Sequence, residues 1–284
     1  MLCCSHCAPF SYDISMSDPL TELLAIMAKL RDPVTGCAWD REQTFQTIAP
    51  YTIEEAYEVA DAIEQGDLTA VKDELGDLLL QVVFHARIAE EVGAFDFHDV
   101  ACTIGDKLVR RHPHVFGDGT AHDEAAVTAQ WEQRKAEERA ARAAAEGRAA
   151  SALDGVANNL PALLRAVKLQ KRAARQGFDW PEAGDVLDKI AEEIDELREE
   201  LHHRNVDRLT DELGDVLFAL VNLARHISID PEAALRHTNA KFERRFRAIE
   251  SALAAQGRST QDADLAEMER LWQRAKAAET TEQR

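Results

Sequence analysis

Residues 53–87 read IEEAYEVADAIEQGDLTAVKDELGDLLLQVVFHAR, and residues 191–226 read AEEIDELREELHHRNVDRLTDELGDVLFALVNLARH. Both stretches place apolar side chains at helical intervals around a short Gly-Asp or Arg-Asn break, the pattern of two helices folded back on each other. Within them the intervals between Glu55, Glu58, Glu74 and Asp77 equal those between Glu193, Glu196, Glu212 and Asp215, an E-x2-E-x15-E-x2-D spacing. Self-similarity at this depth marks a duplication, and it decides the fold class: all-α, built from two tandem repeats of one helical unit.

The repeat extends outward on both sides. GCAW ending at Trp39 is echoed by GFDW ending at Trp180, and Lys107, Arg110, Arg111 by Lys241, Arg244, Arg245. Trp131 and Lys135 stand four apart, as do Trp272 and Lys276. Periodicity predicts helices over roughly 19–31, 51–65, 68–91, 98–111, 122–146, 160–176, 183–203, 206–227, 231–256 and 262–278, and no segment alternates as a strand would. All eight prolines are expected at helix boundaries. The stretch EERAARAAAEGRAASALDG, ending at Gly155, is poor in large apolar residues. The expected division is therefore a disordered leader over 1–16, a first domain over 17–145, a linker over 146–156 and a second domain over 157–284.

Composition narrows the function. A formal charge of −19 opposes general nucleic-acid binding, which needs a basic face, and suits a protein that holds divalent cations on oxygen. No apolar run is long enough to span a membrane, and no signal peptide is evident. Cys37 and Cys102 read as reduced thiols of a cytoplasmic protein. Cys3, Cys4, His6 and Cys7 crowd the leader, where a lone C-x2-C is weak evidence for zinc against a disordered extension.

Residues three apart on a helix share a face, so Glu55 and Glu58 point together, as do Glu74 and Asp77 on the next helix. Four carboxylates then converge across the hairpin, on a helix whose continuation, Leu78 to Phe84, is expected to be core. Such crowding calls for a cation, and all-oxygen ligation favours Mg²⁺, with Mn²⁺ as substitute. The metal ligands expected are Glu55, Glu58, Glu74 and Asp77 in the first copy and Glu193, Glu196, Glu212 and Asp215 in the second. Gly76 and Gly214 cost helix stability inside the E-L-G-D turn, which suggests a close approach to the backbone. Lys241, Arg244 and Arg245 offer donors to phosphate oxygens, as does Lys189 one turn before Glu193, where the first copy has Tyr51. Trp131 and Trp272 are candidates to stack on a base. His112-Pro113-His114 reads as a structural turn.

At these residues the sequence resembles the MazG family of nucleoside triphosphate pyrophosphohydrolases, within the all-α NTP pyrophosphatase superfamily. Its signature stands here as Glu54-Glu55-x2-Glu58…Glu74-x2-Asp77 and Glu192-Glu193-x2-Glu196…Glu212-x2-Asp215, with CAWDREQTFQTIAPYT, RRHPHVFGD, GFDW and KFERRFR in support. The resemblance runs from about residue 20 to residue 278. It implies four-helix-bundle-like modules completed by a homodimer, and Mg²⁺-dependent hydrolysis of an NTP or dNTP to the monophosphate and pyrophosphate, a nucleotide-pool house-cleaning reaction. It makes the second copy the expected catalyst, with Glu192, Glu193, Glu196, Glu212 and Asp215 as catalytic residues. Glu192 would orient the attacking water, and Lys189, Lys241, Arg244, Arg245, Trp272 and Lys276 would contact the nucleotide. The leader, a longer Ala/Arg linker and a shortened loop near Arg204 depart from the pattern without touching the carboxylates. Competing readings are a dUTP/dCTP-specific relative, a phosphoribosyl-ATP pyrophosphohydrolase, and a nucleotide-sensing module with little turnover. A di-iron bundle using Glu199-x2-His202 and Glu200-x2-His203 is a further rival.

Overall fold

The computed structural model describes residues 18–117 and 124–282; the Cys-rich leader, with Cys3, Cys4, His6 and Cys7, lies outside them. The described residues are helical with no strand. In order they form α1 (Pro19–Leu30), α2 (Ala38–Glu42), α3 (Phe45–Gln65), α4 (Leu68–Glu91), α5 (Phe97–Arg111) and α6 (Pro113–Phe116). There follow α7 (Glu124–Ala145), α8 (Ala162–Ala174), α9 (Ala183–His203), α10 (Val206–His226), α11 (Pro231–Ala254), a 3₁₀ turn over Thr260–Asp262 and α12 (Leu265–Glu282). Two compact units result, Met1–Trp131 and Glu132–Arg284, the division falling inside α7.

The long hairpins α3–α4 and α9–α10 are the repeated element. Each turns on one residue in the left-handed region, Gly66 at φ 73° in the first and Arg204 at φ 55° in the second. The next residue caps the second helix in both. Asp67 accepts from the amides of Thr69 and Ala70, and Asn205 from those of Asp207 and Arg208. Two-residue connections of this kind force the helices antiparallel and side by side, the arrangement that spacing predicted.

Pro50 departs from the expected pattern, because it lies inside α3. The helix starts a turn and a half earlier than apolar periodicity suggests: Thr44 and Thr47 form a reciprocal capping box, with bonds of 2.8 and 3.3 Å between backbone amides and side-chain hydroxyls. Proline there removes one backbone bond, to the carbonyl of Gln46, whose residue is exposed, so the helix loses that bond where solvent has access.

In the first unit Met27, Ile48, Val83, Phe84 and Ile88 form the core, with Leu23, Leu24, Leu80 and Phe97 packed on it. Arg31 pins the α1–α2 connection to α4. Its guanidinium donates to Glu91 at 2.8 and 2.6 Å and to the carbonyls of Asp40 and Gln43. The second unit has two smaller clusters, Val186, Ile190 and Ala219 between α9 and α10, and Ile249, Leu253 and Leu271 between α11 and α12. The run after Asp77 is only half interior: Val83 and Phe84 are buried, but Leu79 and Val82 are exposed. One face of α4 packs on α1 and α3 while its other apolar face points outward.

Candidate active site

Packing of α3 on α4 brings Glu55, Glu58 and Glu74 together, and α9 on α10 does the same for Glu193, Glu196 and Glu212. In each group one carboxylate oxygen per residue lies within 4.8 Å of the others. The structure thus assembles three of the four expected carboxylates in each unit. Asp77 and Asp215 stay outside the groups and exposed. Three residues of helix rotate a side chain 300°, so each aspartate sits about 60° around the helix from its glutamate. Asp77 still acts on Glu55 and Glu74 through its charge.

The electrostatics of the two groups differ, and the difference traces to two positions. In the second unit Lys189 Nζ lies 2.8 Å from Glu193 Oε1 and also 2.8 Å from Glu192 Oε1. Arg208 Nη2 approaches Glu212 Oε1 at 3.4 Å while its Nε holds Glu200 at 3.0 Å. In the first unit the corresponding residues are Tyr51 and Ala70, which carry no charge. The uncompensated first group shows the strain of its own repulsion: burial, then the charges of Asp77 and Glu58, push the Glu55 carboxyl above its ordinary range. Burial and Glu58 do the same to Glu74. In the second group Glu196 is pushed up by burial and by Glu193, with Lys189 pulling the other way, while Lys189 itself is held charged well beyond its usual range by Glu192 and Glu193.

Glu193 is the most telling residue. It is buried, at 6 % exposure, and while Oε1 meets Lys189, its Oε2 is buried with no hydrogen-bond partner. An unpaired buried carboxylate oxygen beside two further carboxylates costs free energy unless a cation completes it. The donor set fits a hard divalent ion such as Mg²⁺, since every ligand is a carboxylate oxygen.

The basic and aromatic residues expected at the nucleotide gather on α11 and α12. Arg244 Nε and Arg245 Nη2 each hold Glu279 at 2.7 Å, Arg245 stands over the Trp272 ring at 5.5 Å, and Phe242 packs against Trp272 at 5.4 Å. Lys241 is half-buried on the same helix as the arginines, and Lys276 exposed on the same helix as Trp272. Among the described residues no hydrogen bond or ion pair joins Arg244, Arg245 or Trp272 to the carboxylates. Lys189 is the expected phosphate contact that the structure places directly on them.

Arg208 was not among the expected residues, although its position four before Glu212 carried the signal. Gly76 and Gly214 also read differently: a Cβ at either would meet nothing within 4 Å, so no described part of this chain requires the glycine. A third metal-capable group, Asp96, His98 and Asp99, is exposed, and its two aspartates are engaged in the capping box that starts α5. His202 and His203 join no such group among the described residues, and Glu200 is held by Arg208. His112 ends α5 and lies edge-on to Trp131 at 5.5 Å.

Comparison with known proteins adds to this geometry. Residues 43–116 and 182–249 each match the MazG nucleotide pyrophosphohydrolase domain, so that one hairpin and its carboxylate group fall within each match. The chain is 53 % identical to the nucleoside triphosphate pyrophosphohydrolase of Escherichia coli K12, over 92 % of its own length and 98 % of that protein's. It is 43 % identical to the nucleoside triphosphate pyrophosphohydrolase/pyrophosphatase MazG of Thermotoga maritima, over 92 % and 96 %. Against the uncharacterized protein YabN of Bacillus subtilis it is 45 % identical over 90 % of this chain and 51 % of that protein.

Proposed function

Because this chain belongs to the MazG nucleotide pyrophosphohydrolase family, we propose that it hydrolyses nucleoside triphosphates, ribo- or deoxyribo-, to the monophosphate and pyrophosphate, with its second unit as the catalyst. The observation that carries the choice of unit is the compensated carboxylate group, in which Lys189 and Arg208 stand where the first unit has Tyr51 and Ala70.

Glu193, Glu196 and Glu212 would hold Mg²⁺, or Mn²⁺ in its place, with Asp215 recruited from its exposed position. The bound ion supplies charge neutralisation and polarisation at the phosphoryl oxygens. The chain's own residues do the rest. Glu192 is exposed beside buried Glu193, held by Lys189, and accepts a proton from the water that attacks the α-phosphorus. The α–β phosphoanhydride P–O bond breaks, and pyrophosphate leaves with the negative charge. Lys189, beside Glu192 and Glu193, would balance that charge. Arg244 and Arg245 converge on the two oxygens of Glu279 as they would on a phosphate, and Trp272 offers a face to the base. Lys241 and Lys276 add positive charge beside them.

A homodimer is part of the same reading. Ile53, Tyr57, Leu75 and Leu79 on the first hairpin, and Leu187, Leu213, Leu217 and Leu220 on the second, are exposed. Apolar faces of this extent call for a partner, and sedimentation tests for one. The role proposed is clearance of the nucleotide pool in the cytoplasm, which suits the unpaired, exposed Cys37 and Cys102. Among the described residues no helix is long and apolar enough to cross a membrane.

The deciding experiment is pyrophosphate release across all NTPs and dNTPs from wild type, Glu55→Ala, Glu193→Ala and Asp215→Ala. Loss in the last two with retention in Glu55→Ala supports the assignment. Wild-type rates in Glu193→Ala would refute the second unit as catalyst, and tight Mg²⁺–NTP binding without release would favour a nucleotide sensor.

A further inference from the structure

In a chain of net charge −19, one cavity of the second unit is positive. It lies between the C-terminal half of α7, the connecting segment 146–161 and α8, with a volume of about 360 Å³, and small-molecule sites begin at roughly 300 Å³. Arg139, Arg172 and Arg175 line it against a single carboxylate, Glu132. Three cations less one anion leave the lining at +2.

The partners of these groups answer only part of that excess. Glu132 is shared, with Arg175 Nη1 at 2.6 Å and Lys135 Nζ at 3.1 Å. Asp154, outside the lining, is held at 2.6 Å by Arg148, which also binds Glu146 at 2.8 Å, and its charge reaches Arg172. Arg172 donates to the backbone carbonyl of Asp154 rather than to a carboxylate. Its charged form is disfavoured first by burial and then by Arg139. Arg139 sends its side chain toward Gly155 and is drawn to Asp154 only through charge.

We propose that this cavity is a binding site for a small polyphosphate anion, separate from the carboxylate groups. Three guanidiniums offer forked donors that match the oxygens of phosphate bidentately, and two excess charges match a multiply charged ligand better than a monocarboxylate. The concave lining favours a small molecule over a nucleic-acid backbone, which requires an extended basic surface. The polyphosphate is either free or carried by a nucleotide, and the two share the chemistry recognised.

The full-length protein is titrated calorimetrically with inorganic pyrophosphate in EDTA, where the metal-free carboxylate groups repel anions. Wild type and Glu193→Gln should bind alike. Arg139→Gln and Arg175→Gln should each weaken binding about tenfold or more, the effect of losing a charge-assisted bond. Glu132→Gln, which removes the internal counter-charge, should tighten it, with circular dichroism confirming the fold of each variant. ATP and a DNA duplex serve as parallel titrants: ATP binding as tightly as pyrophosphate assigns the nucleotide-borne source, and weaker ATP binding assigns the free anion. The proposal is overturned by absence of binding to wild type, by loss in Glu193→Gln, by indifference to both arginine substitutions, or by a duplex that binds more tightly than either small ligand.

Discussion

Lys189→Met isolates the internal counter-ion of the second carboxylate group. The ammonium lies 2.8 Å from Glu193, whose side chain is 8 % exposed, while Lys189 itself is 31 % exposed. At that distance Coulomb's law with an effective dielectric of about 20 gives a gross attraction of about 6 kcal/mol. Partial exposure of the lysine screens it, and desolvation of the carboxylate offsets much of the remainder, which leaves a net loss of about 1–3 kcal/mol. For a chain of this size that is a fall of roughly 2–10 °C in the thermal midpoint. The assay is thermal unfolding in EDTA and again in Mg²⁺. The ion should take over the charge that lysine supplied, so the deficit should shrink in Mg²⁺ and the variant should bind Mg²⁺ more tightly than wild type. Lys189→Arg, which keeps the charge, should behave as wild type in EDTA. A wild-type midpoint for Lys189→Met in EDTA, or a deficit that Mg²⁺ leaves unchanged, would refute the exchange of lysine for metal at Glu193.

Glu196→Gln tests the repulsion within the same group. A carboxyl held above its ordinary range binds its proton more firmly folded than unfolded, so its cost is absent at pH below the unfolded value and fully present above the raised folded value. The metal-free variant should therefore be more stable than wild type near neutral pH. That advantage should disappear as pH falls through the carboxylate range, and thermal midpoints measured against pH in EDTA follow it. Gly214→Ala enters a helix where a Cβ meets nothing within 4 Å, and should stabilise the protein by about 1 kcal/mol. A lowered thermal midpoint would show that something outside this chain packs there, and slowed pyrophosphate release with a raised midpoint would place the substrate at that backbone.

Most of the helical architecture was legible because its causes are local. Apolar periodicity, the Asp67 and Asn205 caps and the Gly66 break fall within a few residues of the elements they define. Where a local rule failed, another local rule had overridden it: proline usually marks a boundary, but the Thr44–Thr47 capping box starts α3 ahead of Pro50. Burial was less legible. Leu79 and Val82 share the apolar run with Val83 and Phe84, yet they face outward, because a sequence states that a residue is apolar and not which neighbour covers it.

Sequence by itself determined that carboxylates recur at one spacing in two helical hairpins, since helix rotation and a two-residue turn leave them little freedom. Tertiary packing decided which of them meet. It drew Glu193, Glu196 and Glu212 together and left Asp215 outside, because 60° of helix rotation counts for nothing in the sequence and for several ångströms across an interface. Packing also carried one cation across the hairpin, setting Arg208 of α10 at 3.0 Å from Glu200 of α9, whereas Lys189–Glu193 and Arg208–Glu212 are one-turn contacts already written in the spacing. Coulomb's law depends on distance, and distance between helices is what a linear sequence does not contain.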